Sequence, residues 1–206
     1  IKIRMEEDLD GISVRKSNGK EWVIYNKNEP LTPIAIKFIS KYQRIRFGNL
    51  FDQPVDNLPN SLTYLSFGHN FNQPVTYQTE SSQNGKSPTL LPKSIKTLKF
   101  GHWFNQPVDN LPNSLTHLSF ANHSKFNQPV DNLPSSLTHL EFGQDFNQPV
   151  ENLPNSLTHL TFGFHFNQPV ENLPESLTYL KFGESSNFNQ PVKNLPSGLT
   201  HIEFEW

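Results

Sequence analysis

The chain contains no cysteine in its 206 residues. That absence excludes a disulfide scaffold, a thiolate metal site and a cysteine nucleophile, and it fits a reducing compartment, so an intracellular, cytoplasmic setting is the expectation. Apolar residues are also scarce, at 34% of the sequence with a mean hydropathy of -0.58. No run of roughly 20 apolar residues is available to cross a bilayer, so no membrane role is expected. A signal segment is likewise missing behind Ile1, as expected of a piece whose targeting address lies upstream. Charge is small and unevenly placed. Residues 1–50 hold ten Lys/Arg against six Asp/Glu, and residues 51–206 hold seven against thirteen. An acidic repeat region repels phosphate backbones, so nucleic acid is not an expected partner.

What the sequence does have is repetition. The unit Phe-Asn-Gln-Pro-Val-(Asp/Glu)-Asn-Leu-Pro-x-Ser-Leu-Thr-(His/Tyr)-Leu-x-Phe-Gly opens at Phe51, Phe71, Phe104, Phe126, Phe146, Phe166 and Phe188, at spacings of 20, 33, 22, 20, 20 and 22. The long spacing comes from one insertion, residues 76–90, whose polar and aperiodic composition predicts a surface loop. Residues 31–50 read as a degenerate first coil, because Tyr42, Ile45 and Phe47-Gly48 stand where Leu62, Leu65 and Phe67-Gly68 stand later. Within residues 1–30, the runs Ile12 to Val14 and Trp22 to Tyr25 flank Ser17-Asn18-Gly19-Lys20, which predicts a β-hairpin capping the first coil. The expected organisation is therefore a cap over 1–30 and one solenoid over 31–206, with regular repeats from 51 to 206.

Each regular unit carries two prolines, such as Pro107 and Pro112, which leave no room for a useful helix. The stretch Leu-Thr-His-Leu-x-Phe alternates apolar and polar residues, the period of a half-buried strand. One strand per 20–22 residues with no partner hairpin pairs only in parallel with the next coil, about 4.8 Å away. The fold class is thus an all-β parallel solenoid with almost no helix. Its interior would be built from ladders of like residues: Leu62 to Leu199, Leu65 to Ile202 and Phe67 to Phe204, with the opening Phe of each unit closing the core opposite the sheet. Asn and Gln of each Phe-Asn-Gln would bond the backbone of neighbouring coils.

Two outward columns are the candidate binding residues. The first is a column of rings, Tyr64, Thr97, His117, His139, His159, Tyr179 and His201; the second varies in charge, with Lys99, Glu141, Lys181 and Glu203 among Ser66, Ser119 and Thr161. Rings supply contact area, and varied charges reject wrong partners. A straight column offers zinc a line of ligands where it needs convergence, so no metal is expected. The acidic stripe Asp56, Asp109, Asp131, Glu151 and Glu171 reads as solvated decoration of a turn, with no differentiated acid, base or nucleophile beside it, so no catalysis and no cofactor are expected.

The pentad Phe-Asn-Gln-Pro-Val followed by Leu-Pro-x-Ser-Leu-Thr resembles the FNIP repeat, a short relative of the leucine-rich repeat, over residues 51–206. Leu62, Leu65, Phe67 and Asn70 also fit the leucine-rich pattern, although Trp103, Asp145 and His165 later stand at the Asn place. The resemblance implies a leucine-rich-repeat-like solenoid of social amoebae or amoeba-infecting giant viruses, and a module that binds another protein. It also implies a possible place as substrate receptor behind an F-box, although no F-box pattern is visible in residues 1–50. A carbohydrate-binding solenoid is the alternative, since stacked rings also accept sugars. Oligomeric state is not legible from the sequence.

Overall fold

The computed structural model describes residues 9–76 and 90–204, so residues 77–89 of the expected loop and residues 1–8 lie outside the described residues. Strands β1 (Ile12–Ser17) and β2 (Lys20–Tyr25) form an antiparallel hairpin. Its turn residues Asn18 and Gly19 both have positive φ, 49° and 73°, the backbone that a tight two-residue hairpin turn requires. Every later pairing is parallel. Strands β3 (Arg44–Phe47), β4 (Tyr64–Ser66), β5 (Thr97–Phe100), β6 (His117–Phe120), β7 (His139–Glu141), β8 (His159–Phe162), β9 (Tyr179–Phe182) and β10 (His201–Phe204) follow β2 in chain order in one ten-stranded sheet. A sheet whose neighbours are always consecutive and parallel gains one strand per turn of chain: it is a leucine-rich-repeat-like parallel β-solenoid of about eight turns.

Alternation within each strand sets the register. Leu65, Leu98, Leu118, Leu140 and Leu160 pair in line and are buried, while the residues on either side of each point outward. A one-residue slip would turn every Leu to solvent, so burial locks the register. In the last coil Ile202 is 42% exposed, because β10 has a sheet neighbour on one side only.

One element was not foreseen and one expectation needs correction. The coil over residues 31–50 contains a single short helix, α1 (Pro33–Ile39), in keeping with the expected near-absence of helix. Its start is built from Thr32, whose side chain accepts a hydrogen bond from the Ala35 amide at 3.1 Å, and from Pro33, whose fixed φ suits the first helical turn. These residues carried the signal, since no proline follows Pro33 in this coil, whereas each regular later unit has two, five residues apart, that break a helix. The opening Phe of each unit also sits elsewhere than expected. It stacks on the Phe at the strand's end, with ring centroids 3.7 Å apart for Phe67–Phe71 and 3.6 Å for Phe100–Phe104, Phe142–Phe146 and Phe162–Phe166. Two phenyl columns therefore run side by side at the strand-end corner, because only a tight Gly-x-x turn separates the two residues.

Away from the sheet, side chains satisfy the backbone. The Oδ1 atom of each Asn accepts both the backbone N–H of the next coil's Asn and the Nε2 amide of its Gln. Asn147 receives Asn167 N at 2.8 Å and Gln168 Nε2 at 3.1 Å, and Asn127 receives Asn147 N at 2.9 Å and Gln148 Nε2 at 3.1 Å. Asp52 and Asn28 extend this ladder into the first coils with the same acceptor geometry. A second ladder runs through Ser94, Ser114, Ser136, Ser156 and Ser176, each hydroxyl donating at 2.6 to 2.7 Å to a carbonyl of the preceding coil. The coils also approach too closely for a side chain at the Phe-Gly corner: a Cβ on Gly101 would collide with the Gly68 carbonyl, and one on Gly163 with that of Gly143.

Phe142 is 3% exposed, and its neighbour Glu141 points outward. Phe142→Ala should therefore cost about 3 to 5 kcal/mol in denaturant unfolding and Glu141→Ala no more than about 0.5; equal costs would show a wrong register. Asn147→Ala strands the Asn167 amide and should cost about 1 to 3 kcal/mol. Asn147→Asp keeps the acceptor, as Asp52 does naturally, and should recover most of that loss in the same measurement; no recovery would show that the acceptor is not what matters.

Candidate functional site

The outward residues of the strands stand where the register puts them. Tyr64, Thr97, His117, His139, His159, Tyr179 and His201 form one in-line column, and Ser66, Lys99, Ser119, Glu141, Thr161, Lys181 and Glu203 form the next. Strand spacing holds the rings face to face. His117–His139 and His139–His159 stack with centroids 4.2 Å apart and planes within 12° and 9°, and His159–Tyr179 stack at 5.6 Å. Thr97 carries no ring and interrupts the column between Tyr64 and His117. In the second column Lys181 Nζ pairs with Glu203 at 3.3 Å. Lys99 and Glu141 make no ion pair among the described residues.

Each histidine of the column is tied down in the same way. Thr116, Thr138 and Thr158 each donate their hydroxyl proton to a carbonyl of the preceding coil at 3.0 Å. Each of those oxygens also lies 2.9 Å from Nδ1 of the next residue, His117, His139 or His159. Thr200 and His201 repeat the pattern. A hydroxyl has one proton, and with that proton directed at the carbonyl the Thr oxygen serves as an acceptor toward the ring. The arrangement favours the Nδ1–H tautomer, in which a neutral imidazole keeps its Nε2 lone pair for an external donor.

Burial lowers the pKa of His117 from the ordinary 6.5, with smaller contributions from Lys99 and His159; burial lowers that of His139 too, with His117 and His159 adding to it. Stacking thus favours neutral rings, since each proton added would face its neighbours at close range.

Sequence reasoning missed the start of this column. Extended by register, it continues upstream through Arg44 and into Trp22 of the hairpin. The Arg44 guanidinium lies 5.2 Å from the Trp22 ring centroid and 5.3 Å from that of Tyr64, beside two rings that meet edge to face at 4.6 Å. Counting back two residues from Arg46 would have found Arg44. Trp22 belongs to the hairpin, whose pairing with the solenoid the repeat pattern does not encode. A second ring cluster was also missed, beyond the Phe-Gly corner. His69 and His102 stack at 4.7 Å, and Trp103, 50% exposed, meets both edge-on. The acidic stripe is partly used in coil-to-coil bonds, with Asn132 donating to Asp109 at 3.1 Å and Asn152 to Asp131 at 3.0 Å. Among the described residues no group of three or more His, Asp or Glu could hold a metal ion, and no helix is long and apolar enough to cross a membrane.

This architecture has known counterparts. The crystal structure of CroV588, a circular leucine-rich-repeat protein of a giant virus, is similar over 87% of this chain, at 42% sequence identity and a TM-score of 0.63. The chain spans 29% of that protein's length. No curated protein sequence matches. The model of the FNIP Repeat matches residues 51–77, 87–123, 126–165 and 166–205, well over half of the sequence. Repeat solenoids of this kind are generally binding modules without catalytic activity. The chain belongs to the FNIP repeat family.

Proposed function

We propose that this chain is a protein-recognition module that binds its partner on the exposed face of the parallel sheet. The observation that carries the reading is the contrast between the two sides of each strand. Inward positions are the same residue in nearly every coil, as packing demands. Outward, a stacked ring column lies beside a column whose charge changes from coil to coil. The rings supply rigid area at little entropic cost, their Nε2 atoms accept hydrogen bonds, and Lys99, Glu141, Lys181 and Glu203 set the charge pattern a partner must match. Residues 1–30 serve as the cap that covers the first coil and also carry Trp22 to the end of the face. In a longer intracellular protein carrying an F-box, the same face would select the substrate of a ubiquitin ligase.

The test is to compare wild-type protein with the triple variant His117→Gln, His139→Gln, His159→Gln in affinity capture with quantitative mass spectrometry, then in direct binding to the captured protein. Gln keeps the surface polar and removes rings and titration together. A partner retained by the wild type and lost by a folded triple variant supports the reading; equal retention contradicts it. Glycan-array binding with no protein partner would favour the carbohydrate alternative. The effect of pH follows from the lowered pKa of His117 and His139. The folded state binds fewer protons than the unfolded chain between the ordinary value and the lowered ones. Stability should therefore fall as pH drops below about 6.5 and level off once the folded rings are also protonated. Affinity for a partner that donates to neutral Nε2 should fall over the same window. The triple variant should show neither dependence in denaturant titrations and binding isotherms.

A further inference from the structure

Beside the charge column, on the side away from the rings, two hollows of about 610 and 530 Å³ share Asn122, His123 and Glu141. Together they form one groove running along the solenoid axis from Ser66 on β4 to Lys181 on β9. The corner glycines Gly68, Gly101, Gly163 and Gly183 line it. Coil contact forbids side chains at Gly101 and Gly163, which keeps the groove open. Its outer wall carries aromatic surface, the stacked His69–His102 pair at one end and Phe164 near the other. Its inner wall is the charge column. Lys181 is already paired with Glu203, so the groove's charges with no ion-pair partner among the described residues are Lys99 and, of opposite sign, Glu141 on the charge column and Glu184 on the turn beyond it.

We infer that this groove binds an extended proline-rich protein segment in the polyproline II conformation, lying along the axis with an acidic residue on Lys99 and a basic residue three positions away on Glu141. This rests on the reading of the chain as a protein-recognition module. Spacing carries it. Lys99 and Glu141 are two strands apart, with Ser119 between them, so about 9.6 Å separates their positions along the axis. A polyproline II helix repeats its face every three residues, about 9.3 Å. A β-strand repeats its face at about 6.7 or 13 Å, and an α-helix at about 5 to 6 or 10.5 Å, so both fit less well. A strand would also find no sheet edge here, because β4 to β9 are each paired on both sides. The five strand steps from Ser66 to Lys181 span about 24 Å, room for about eight residues of such a segment. Aromatic walls and a preformed, low-entropy ligand are the usual terms of proline-rich recognition.

The test uses the whole chain and labelled eight-residue peptides read by fluorescence anisotropy. The first is Pro-Pro-Glu-Pro-Pro-Lys-Pro-Pro; two others have the same composition with Glu and Lys two or four positions apart. The three-residue spacing should bind about tenfold more tightly than either control, and the difference should shrink as salt screens it. Lys99→Glu, with an unchanged circular dichroism spectrum, should weaken that peptide about tenfold and favour one with Lys at both places. Equal binding of all three spacings, indifference to Lys99→Glu, or tighter binding of a helical peptide with its charges seven apart would overturn the inference. If no peptide binds while the triple histidine variant loses its captured partner, this inference fails and the recognition reading stands. Spacing-dependent peptide binding with partner retention unchanged in that variant supports the groove and moves recognition off the ring column.

Discussion

Adjacent coils are held one strand spacing apart by hydrogen bonds that reach around the whole circumference, and this in-register contact constrains nearly every other feature. On the sheet side the backbone supplies the bonds. On the other sides it cannot, because the prolines of each unit remove donors and the chain runs irregularly. The Asn, Gln, Ser and Thr ladders take over, each side chain satisfying a group in the neighbouring coil. Close approach then requires glycine at Gly68, Gly101, Gly143 and Gly163, although Ala121 stands at the same corner after Phe120. It also stacks like on like, so the phenyl rings inside run as continuous columns.

The same spacing acts on the outside without selecting for packing there. Histidines that follow a Thr in successive coils are brought to 4.2 Å whether or not they bind anything. The burial that comes with stacking holds His117 and His139 toward the neutral state, and the Thr oxygen beside each Nδ1 favours the Nδ1–H tautomer. A face of rigid, neutral, acceptor-bearing rings is thus a by-product of the stacking that builds the core. Specificity has to come from positions where the repeats differ, and the column from Ser66 to Glu203 is where they do.

Most of the fold was legible because a repeat states its packing rules many times over. Two prolines per unit excluded helix, the Leu-x-Phe alternation gave strand and register, and the Asn and Gln columns gave the ladder. Apart from the hairpin, which its Asn-Gly turn announces, features that occur once escaped. Helix α1 is written in Thr32-Pro33 within a coil that has drifted from the repeat. Asn28, which starts the amide ladder, and Trp22, which extends the ring column, lie in a segment with no repeat to compare. The stacked His69–His102 pair escaped for another reason: each follows Phe-Gly in successive coils, but in a turn beyond the strand, where strand alternation says nothing of which way a side chain points. Of the site, the order of residues along each column was readable, whereas the Thr–His bonds that favour the Nδ1–H tautomer depend on side-chain geometry.

Native-state hydrogen exchange tests the ladder most directly. The backbone amides of Asn105, Asn127, Asn147 and Asn167 lie outside every strand and donate only to side chains of the preceding coil. If the ladder holds the coils together, these amides should exchange as slowly as those of Leu118, Leu140 and Leu160 in the sheet. Exchange as fast as at the exposed turn residues Asp131 and Glu151 would show that the sheet alone carries the solenoid, and would contradict the account.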